Sequence, residues 1–540
     1  MQKRSISPAR CFLWASTLSA LFAVGCVHDM GEESEEGAFS SAQAKLVDFT
    51  FDGELLGTSS TNLGGQVRAQ LLYTVGHLNS EPGVSQLAKL SLSSLSAASE
   101  GDGLFRIRYR AKLPVAWGDR GHPPSTYTFT LPSRIDAAAQ DAFVAKYKAG
   151  CADEPAAANT SNFWYHYRPH ARGCTFTPSD VVTKTAAVSV SGKNTSGKYP
   201  EYNRVWEDGV FRVVGVFGKY EEGATTDSDS GIAAYDAFVA MLQDELREGT
   251  VTPHFDGNPG AAVPEVTIAF ARPDGRRVEA TVLLVDKLAT VGAAFDKRYA
   301  ELTPGADLVV YAGHAGLGAN VAALARKGKF FPGKYQIFFI NGCDTFAYAD
   351  ETMAKTRALL NPDDPSGTRY MDVVTNAMPA FFSSMPLGAM AFVRAMLAPT
   401  EPRTYESIFN GIDSEQVVVV TGEEDNAFAA GAPVSSPWSF AQAGAVGKRE
   451  TLSYETGVLP AGKYVFSLLP DPAIAGGDAD LRVRVGAQPT ITKEFKCPSY
   501  VANSNERCTL TLSSPANVFI AVTGDTATMK SPFELRAFQR

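Results

Sequence analysis

At 540 residues the chain has room for about three or four domains of ordinary size and a sizeable core. Its 45% hydrophobic, 20% charged and 10% aromatic residues are globular proportions, which argue against disorder, collagen-like repeats and coiled coil. A net charge of −9 with no strongly basic block excludes a nucleic-acid partner held by phosphate neutralisation.

Lys3, Arg4 and Arg10 make a positive leader, residues 11–24 an apolar run of signal-peptide length, and Ala23-Val24-Gly25-Cys26 sets small residues before a cysteine. The pattern resembles the bacterial lipobox. The resemblance implies that residues 1–25 are removed and that Cys26 carries lipid. It places the chain in the bacterial cell envelope, at the outer membrane or cell surface, with Cys26 as its membrane contact. The alternative is an ordinary secretory signal cut nearby. Residues 26–44, polar and acidic, then read as a tether. No later stretch is apolar over the roughly 20 residues a spanning helix needs.

Beyond Cys11 and Cys26 the cysteines are Cys151, Cys174, Cys343, Cys497 and Cys508. Cys151 with Cys174, and Cys497 with Cys508, are close pairs in turn-rich sequence, as disulfides of an oxidising compartment are. Cys343 is left over, and an unpaired thiol in an exported protein calls for a reason.

Residues 45–200 carry alternating stretches at 45–51, 67–75, 104–113 and 126–131 around one helical segment at 137–148, which predicts an α+β or β-rich domain. The aromatic run 163–167 has the composition of a sugar or peptide platform, but core plus one wet face is the commoner use. Residues 185–207, rich in small polar types, read as a connector.

From 210 to 430 strands alternate with helices. Residues 210–220 read as a strand and the acidic 226–230 segment as a helix cap. A hairpin pairs 265–270 with 278–285 through Asp274-Gly275. Strands follow at 308–311, 335–340, 371–374 and 416–420, with helices between them, including 387–398. This predicts an α/β fold with a largely parallel sheet covered on both faces, whose function gathers at the C-terminal ends of the strands. Residues 449–540 read as short strands and turns without helix, a small β-sandwich.

Two strand-end loops carry chemistry. The strand at 308–311 runs into Ala312-Gly313-His314-Ala315-Gly316, and the strand at 335–340 into Asn341-Gly342-Cys343-Asp344. A histidine and a thiol, each just past a buried strand and flanked by glycine, are the parts of a nucleophile and its proton partner. The chemistry requires no cofactor and no metal. Ca²⁺ comes into question only at 226–230, which lacks an oxygen-ligand spacing and is accounted for by capping. The remaining histidines, 28, 77, 122, 166, 170 and 254, have no comparable setting.

With DLVVYAGHAGLG and YQIFFINGCDTFAY the chain resembles the caspase-like cysteine peptidases, the group of caspases, legumains, metacaspases and gingipains, over residues 210–430. The resemblance implies an α/β/α sandwich and a protein or peptide substrate, with Cys343 as nucleophile and His314 as its catalytic partner. It assigns the oxyanion hole to the backbone N–H groups of Cys343 and Ala315. HAG stands where the family usually has HG, so either Ala315 takes a strained angle or the loop differs. The position two before the nucleophile lines the substrate pocket in several branches. Here it is Asn341, which offers no counter-charge for Arg or Lys; Asp344, or Glu423, Glu424 and Asp425, are the nearby acidic candidates. LPAGKYVFSLL and DADLRVRVG resemble the pre-peptidase C-terminal domain of secreted bacterial proteases. The expectation is a lipid-anchored cysteine endopeptidase; the alternative is a surface binding lipoprotein on an inactive peptidase fold.

Overall fold

The fold is that of a computed structural model, which describes residues 37–413, 415–434, 438–470, 477–490, 504–525 and 530–540. The leader, Cys26 and Cys497 lie outside the described residues.

Nine strands form the central sheet: β1 (Ser40–Ser41), β2 (Val210–Gly218), β3 (Thr250–Thr252), β4 (Glu265–Ala271), β5 (Arg277–Val285), β6 (Leu308–Ala312), β7 (Gln336–Asn341), β8 (Met371–Asn376) and β9 (Val418–Thr421), in the order β1-β9-β8-β7-β6-β2-β5-β4-β3. The inner strands β5, β2, β6, β7 and β8 are parallel. Every residue of β2, β6 and β7 is buried, as a sheet covered on both faces requires. Alternate side chains supply two cores. Val213, Val310, Ile337 and Phe339 pack under α1 (Ser230–Glu245), α5 (Met385–Leu397) and α6 (Tyr405–Phe409). Val214, Val309, Phe338 and Ile340 pack under α2 (Ala293–Leu302), α3 (Ala319–Lys327) and α4 (Thr352–Leu360). The chain leaves β2 toward β5 on one side and returns to β6 on the other, so the strand order reverses between β2 and β6. In open α/β sheets that crevice takes the ligand.

The first unit, residues 45–190, is an α+β domain. Its sheet is antiparallel, with strands such as Lys45–Gly57, Leu104–Trp117 and Thr126–Pro132. Two expectations for it change. Residues 67–75 are not a strand but parts of the helices Leu63–Leu71 and Tyr73–Asn79, because Leu63, Val67 and Leu71 recur at the helical spacing of four. The expected connector at 185–207 begins inside the strand Val181–Val190, whose wet face has a linker's composition. Cys151 and Cys174 are disulfide-bonded.

The tether also ends earlier than its composition implies. Phe39 is buried, sets its ring 5.7 Å from Phe346, and is followed by β1, which pairs with β9 and forms the edge of the sheet. The way in and the way out of the first unit run side by side. Phe39 N–H donates to Lys193 O (3.0 Å), Thr195 N–H to Phe39 O (2.9 Å), and the Asn194 amide bonds both backbone groups of Leu46. Residues 45–190 are thus inserted between the first and second strands of the central sheet.

The last unit is built from two facing sheets, of four and three strands. It starts at Ser439, ten residues or so before the expected boundary. The strand Ser439–Val446 is a largely exposed edge of small and polar residues, so it carries little hydrophobic signal. Cys508 is disulfide-bonded.

Candidate functional site

In the parallel ladder Ala312 pairs with Asn341, and Ala312 also pairs with Phe217. His314 and Cys343 each follow two residues beyond that matched pair, so the two loops leave neighbouring strands in register, beside the crevice where strand order reverses. The loops touch. Gly313 N–H donates to Asn341 O (3.1 Å), and a Cβ on Gly342 would lie 2.5 Å from Gly313 O, so only glycine admits this approach.

His314 is exposed, but its backbone is fixed: its carbonyl accepts from Tyr311 Oη (2.6 Å) and Asn320 Nδ2 (2.7 Å). Its imidazole Nε2 lies 3.2 Å from the backbone O of Tyr220, just beyond β2. A carbonyl only accepts, so Nε2 is the donor here, and in the neutral imidazole Nδ1 then keeps its lone pair. The rings of Tyr220 and Phe382 stand 4.9 and 5.1 Å from the imidazole. The loop that presents Tyr220 is tied by Asp229, whose carboxylate accepts from the backbone N–H groups of Tyr220, Glu221, Gly231 and Ile232 at 2.8 to 3.0 Å. Burial acts to raise its pKa, but those four donors outweigh it and hold the carboxyl below the usual range. The expected cap is therefore present, and one carboxylate serves both α1 and the loop behind His314.

Ala315 adopts an ordinary right-handed conformation, φ −64° and ψ −24°. The unusual angles fall later in the loop, on Gly316 (φ 59°), Leu317 (φ 52°) and Gly318 (φ 92°). Of the two expectations for HAG, a strained alanine is therefore not what this loop adopts.

Cys343 is a free, half-buried thiol. Its Sγ donates to Ala380 O at 3.5 Å. Burial pushes the thiol pKa up, against the opposing contact with Ala380, and the neighbouring Asp344 carboxyl adds to the rise, so in this conformation the sulfur is held as a thiol. Thr345 pins the loop from below, its Oγ1 donating to Ile340 O and accepting from Asn376 N–H. Ala315 N–H makes no backbone hydrogen bond among the described residues, while Cys343 N–H is directed at its own sulfur. Ala315 is buried, and buried N–H groups are rarely left without a partner.

Asn341 is fully buried, with Oδ1 accepting from Asn376 Nδ2 (2.8 Å), so it faces the core rather than an open pocket. The acidic candidates lie elsewhere. Asp344 is buried and turned to the first unit, accepting from Asn79 Nδ2 (3.1 Å) and Tyr165 Oη (3.2 Å). Strand β9 runs antiparallel to β8, pairing Thr421 with Val373 and Val418 with Asn376. Glu423, Glu424 and Asp425 therefore emerge at the opposite end of the sheet from Cys343. The aromatic run belongs mainly to the core of the first unit through Phe163 and Tyr167, while Tyr165 reaches Asp344.

Sequence reasoning did not find Tyr220, Ala380 or Asn79. The first two act through backbone carbonyls, which no residue type marks, and Asn79 acts across a domain interface. Asp372, Asp307 and Glu423 are raised to about 7, 7 and 8 by burial, but they are engaged with Tyr335, Lys334 and Thr195 and do not face the crevice. A cavity of about 580 Å³, lined by residues such as Phe39, Leu46, Ile340, Met353 and Met371, lies between the first unit and α4 and includes neither His314 nor Cys343. Among the described residues no cluster of three or more His, Cys, Asp or Glu is arranged to hold a metal, and no helix is long and apolar enough to cross a membrane.

No family model and no curated protein matches the sequence. Among solved structures the chain is similar to a Bacillus licheniformis lipase in its propeptide form, with 11% identity over 61% of this chain and 74% of that one and a TM-score of 0.15.

Proposed function

We propose that the chain is a cysteine endopeptidase of the caspase-like type, anchored in the bacterial envelope through lipid on Cys26. The observation that carries this reading is the register of β6 and β7, which sets His314 and Cys343 at equivalent places beside the crevice between β2 and β6. The doubly covered, mainly parallel sheet supports the sandwich that the sequence motifs imply.

The chemistry follows from the groups present. As Sγ of Cys343 attacks the scissile carbonyl carbon, its proton passes to Nδ1 of His314, which the Tyr220 carbonyl leaves free by holding Nε2–H. The electron pair moves onto the carbonyl oxygen, where the N–H groups of Ala315 and Cys343 are suited to stabilise it. The imidazolium then protonates the leaving amine, and water releases the acyl group from sulfur. Because burial and Asp344 raise the thiol pKa, the proton moves during attack rather than beforehand.

The test is peptide hydrolysis by the exported protein. His314→Ala and Cys343→Ala each abolish it without unfolding the chain, and the double variant is no worse than either single one, since the two act as a unit. Cys343→Ser is nearly inactive, a hydroxyl being far less ionised than a thiol. Hydrolysis that survives Cys343→Ala but is lost with a chelator overturns the thiol mechanism. For the anchor, Cys26→Ala releases the folded protein from membranes; a mature wild type without lipid by mass overturns it.

One observation favours a second reading, a binding lipoprotein on an inactive peptidase fold: the thiol rests on Ala380 O and is pushed away from ionisation. Absence of hydrolysis after reductant, Ca²⁺ and limited proteolysis supports that reading.

A further inference from the structure

Of the large apolar side chains that stand exposed among the described residues, Tyr220, Leu317, Phe381 and Leu387 belong to the segments framing the Cys343–His314 crevice; only Val190, Leu359 and Val458 lie elsewhere. Tyr220 follows β2 and Leu317 follows His314 by three residues. Phe381 is next to Ala380, whose carbonyl takes the thiol, and Leu387 is in the first turn of α5. They are 41% to 50% exposed, which is a large apolar surface to leave in water beside a nucleophile.

The surface is built rather than loose. The Tyr220 and Phe382 rings contact each other at 5.5 Å and both contact His314. The carbonyl of Phe381 accepts from Ser384 N–H and Met385 N–H and from the Ser384 hydroxyl, which fixes the turn into α5. Leu317 is held at φ 52° and ψ 36° between two glycines of positive φ. A leucine in that left-handed region is strained, and such strain persists where the surroundings impose it, often at functional sites.

The charges point the same way. Asn341 is neutral and buried, Asp344 is engaged by the first unit, and Glu423 to Asp425 lie at the far end of the sheet, so none of them offers a counter-charge to Arg or Lys in the crevice. The basic Lys219 at the end of β2 is paired with Asp286 at 2.8 Å and is thus not a free cation for an acidic group. Glu221 and Glu222, exposed on the loop after Tyr220, repel acidic groups and are the charges a Lys side chain would meet there, which the Lys peptide below tests. We propose that the site selects peptides presenting a large apolar or aromatic side chain beside the bond attacked, gripped by Tyr220, Leu317, Phe381 and Phe382. This specificity rests on the reading of Cys343 and His314 as a peptidase pair.

Binding is measured by fluorescence anisotropy on the full chain carrying Cys343→Ala, with labelled peptides that differ at one position among Phe, Leu, Ala, Lys and Asp. The Phe and Leu peptides bind about tenfold tighter than the Ala peptide, the gain expected from burying most of one large apolar side chain. Adding Phe381→Ser or Leu317→Ser removes that gain, whereas Leu359→Ser, an equally hydrophobic change at an exposed site on α4, leaves it, and the melting temperature of each variant confirms folding. Equal affinity across the panel, a preference for Lys or Asp, or an equal loss with Leu359→Ser overturns the proposal. Wild-type hydrolysis of the same peptides separates it from the reading beneath it. Cys343-dependent cleavage of the Lys peptide, unaffected by Phe381→Ser, removes the apolar specificity and leaves the peptidase standing. Tight binding of Phe peptides that are never cleaved removes the peptidase and leaves a binding groove.

Discussion

Asp344 shows how much one side chain sets in the nucleophile loop. It sits in the left-handed region at φ 52° and ψ 30°, a conformation that Asp and Asn tolerate better than other non-glycine residues. It is buried against Asn79 and Tyr165, and burial raises its carboxyl to about 6. In the unfolded chain the same group ionises near the ordinary value of about 4. Below that pH both states are protonated and nothing is lost; as pH rises from about 4 to 6 the unfolded state ionises first, so stability falls, by about 3 kcal/mol once both are ionised. Asparagine keeps the backbone preference and an oxygen for both donors. Asp344→Asn should therefore match the wild type in stability near pH 4 and exceed it near pH 8, as read by thermal melts across pH. It should also let Cys343 react with iodoacetamide at lower pH, because the charge that raises the thiol is gone. Identical melting profiles and identical alkylation profiles for the two proteins exclude this role. Nothing in the sequence distinguishes Asp344 from a solvent-facing aspartate, because its partners come from a domain more than a hundred residues away. His314 and Cys343, by contrast, are legible, since each ends an apolar run and has glycine beside it.

At the level of elements, the loop from β2 to α1 joins capping to the chemistry. Asp229 closes the first turn of α1 and also holds Tyr220 and Glu221. Asp229→Ala should cost about 1 to 2 kcal/mol of stability, the usual loss for a helix cap. It should also lower hydrolysis further than the folded fraction explains and shift the pH profile of kcat/KM, because the carbonyl that fixes the His314 tautomer loses its support. Asp229→Asn, which retains an acceptor oxygen, should restore most of both. Stability loss with an unchanged pH profile makes Asp229 a cap and no more. The alternation of strand and helix beyond 210, the Asp274-Gly275 hairpin and this cap are legible because period, turn chemistry and cap residues are local properties of sequence. Strand direction is not local. Residues 416–420 read as a strand, but only pairing with β8 shows that the chain runs backwards there and carries Glu423 to the wrong end for a pocket. The helices Leu63–Leu71 and Tyr73–Asn79 were hidden for another reason: their short apolar stretches fit a period of two almost as well as one of 3.6.

Across the whole molecule, the described residues form three units, each with its own sheet or sheets. The Cys151–Cys174 bond closes a loop of sequence separation 23 in the first unit, and replacing both cysteines by serine should lower its stability by about 3 kcal/mol through the restriction lost from the unfolded chain. Thermal melts of the Cys343→Ala background with and without the bridge measure this free of thiol exchange; unchanged melting shows that the bridge does not limit stability. The order of the three units is legible in composition and rhythm, whereas the insertion of the first into the sheet of the second is not, since β1 is two residues long and Phe39 sits in a stretch with a linker's composition. That insertion has a mechanical meaning. A pull on the chain at Gly37 meets the hydrogen bonds from Phe39 to Lys193 and Thr195 and the pairing of Ser40 and Ser41 with β9 before it reaches residue 45. The load passes sideways into the edge of the central sheet. Residues 45–190 hang beyond it as a closed loop under no tension, so the contact of Asn79 and Tyr165 with Asp344 is shielded from force applied at the N-terminus.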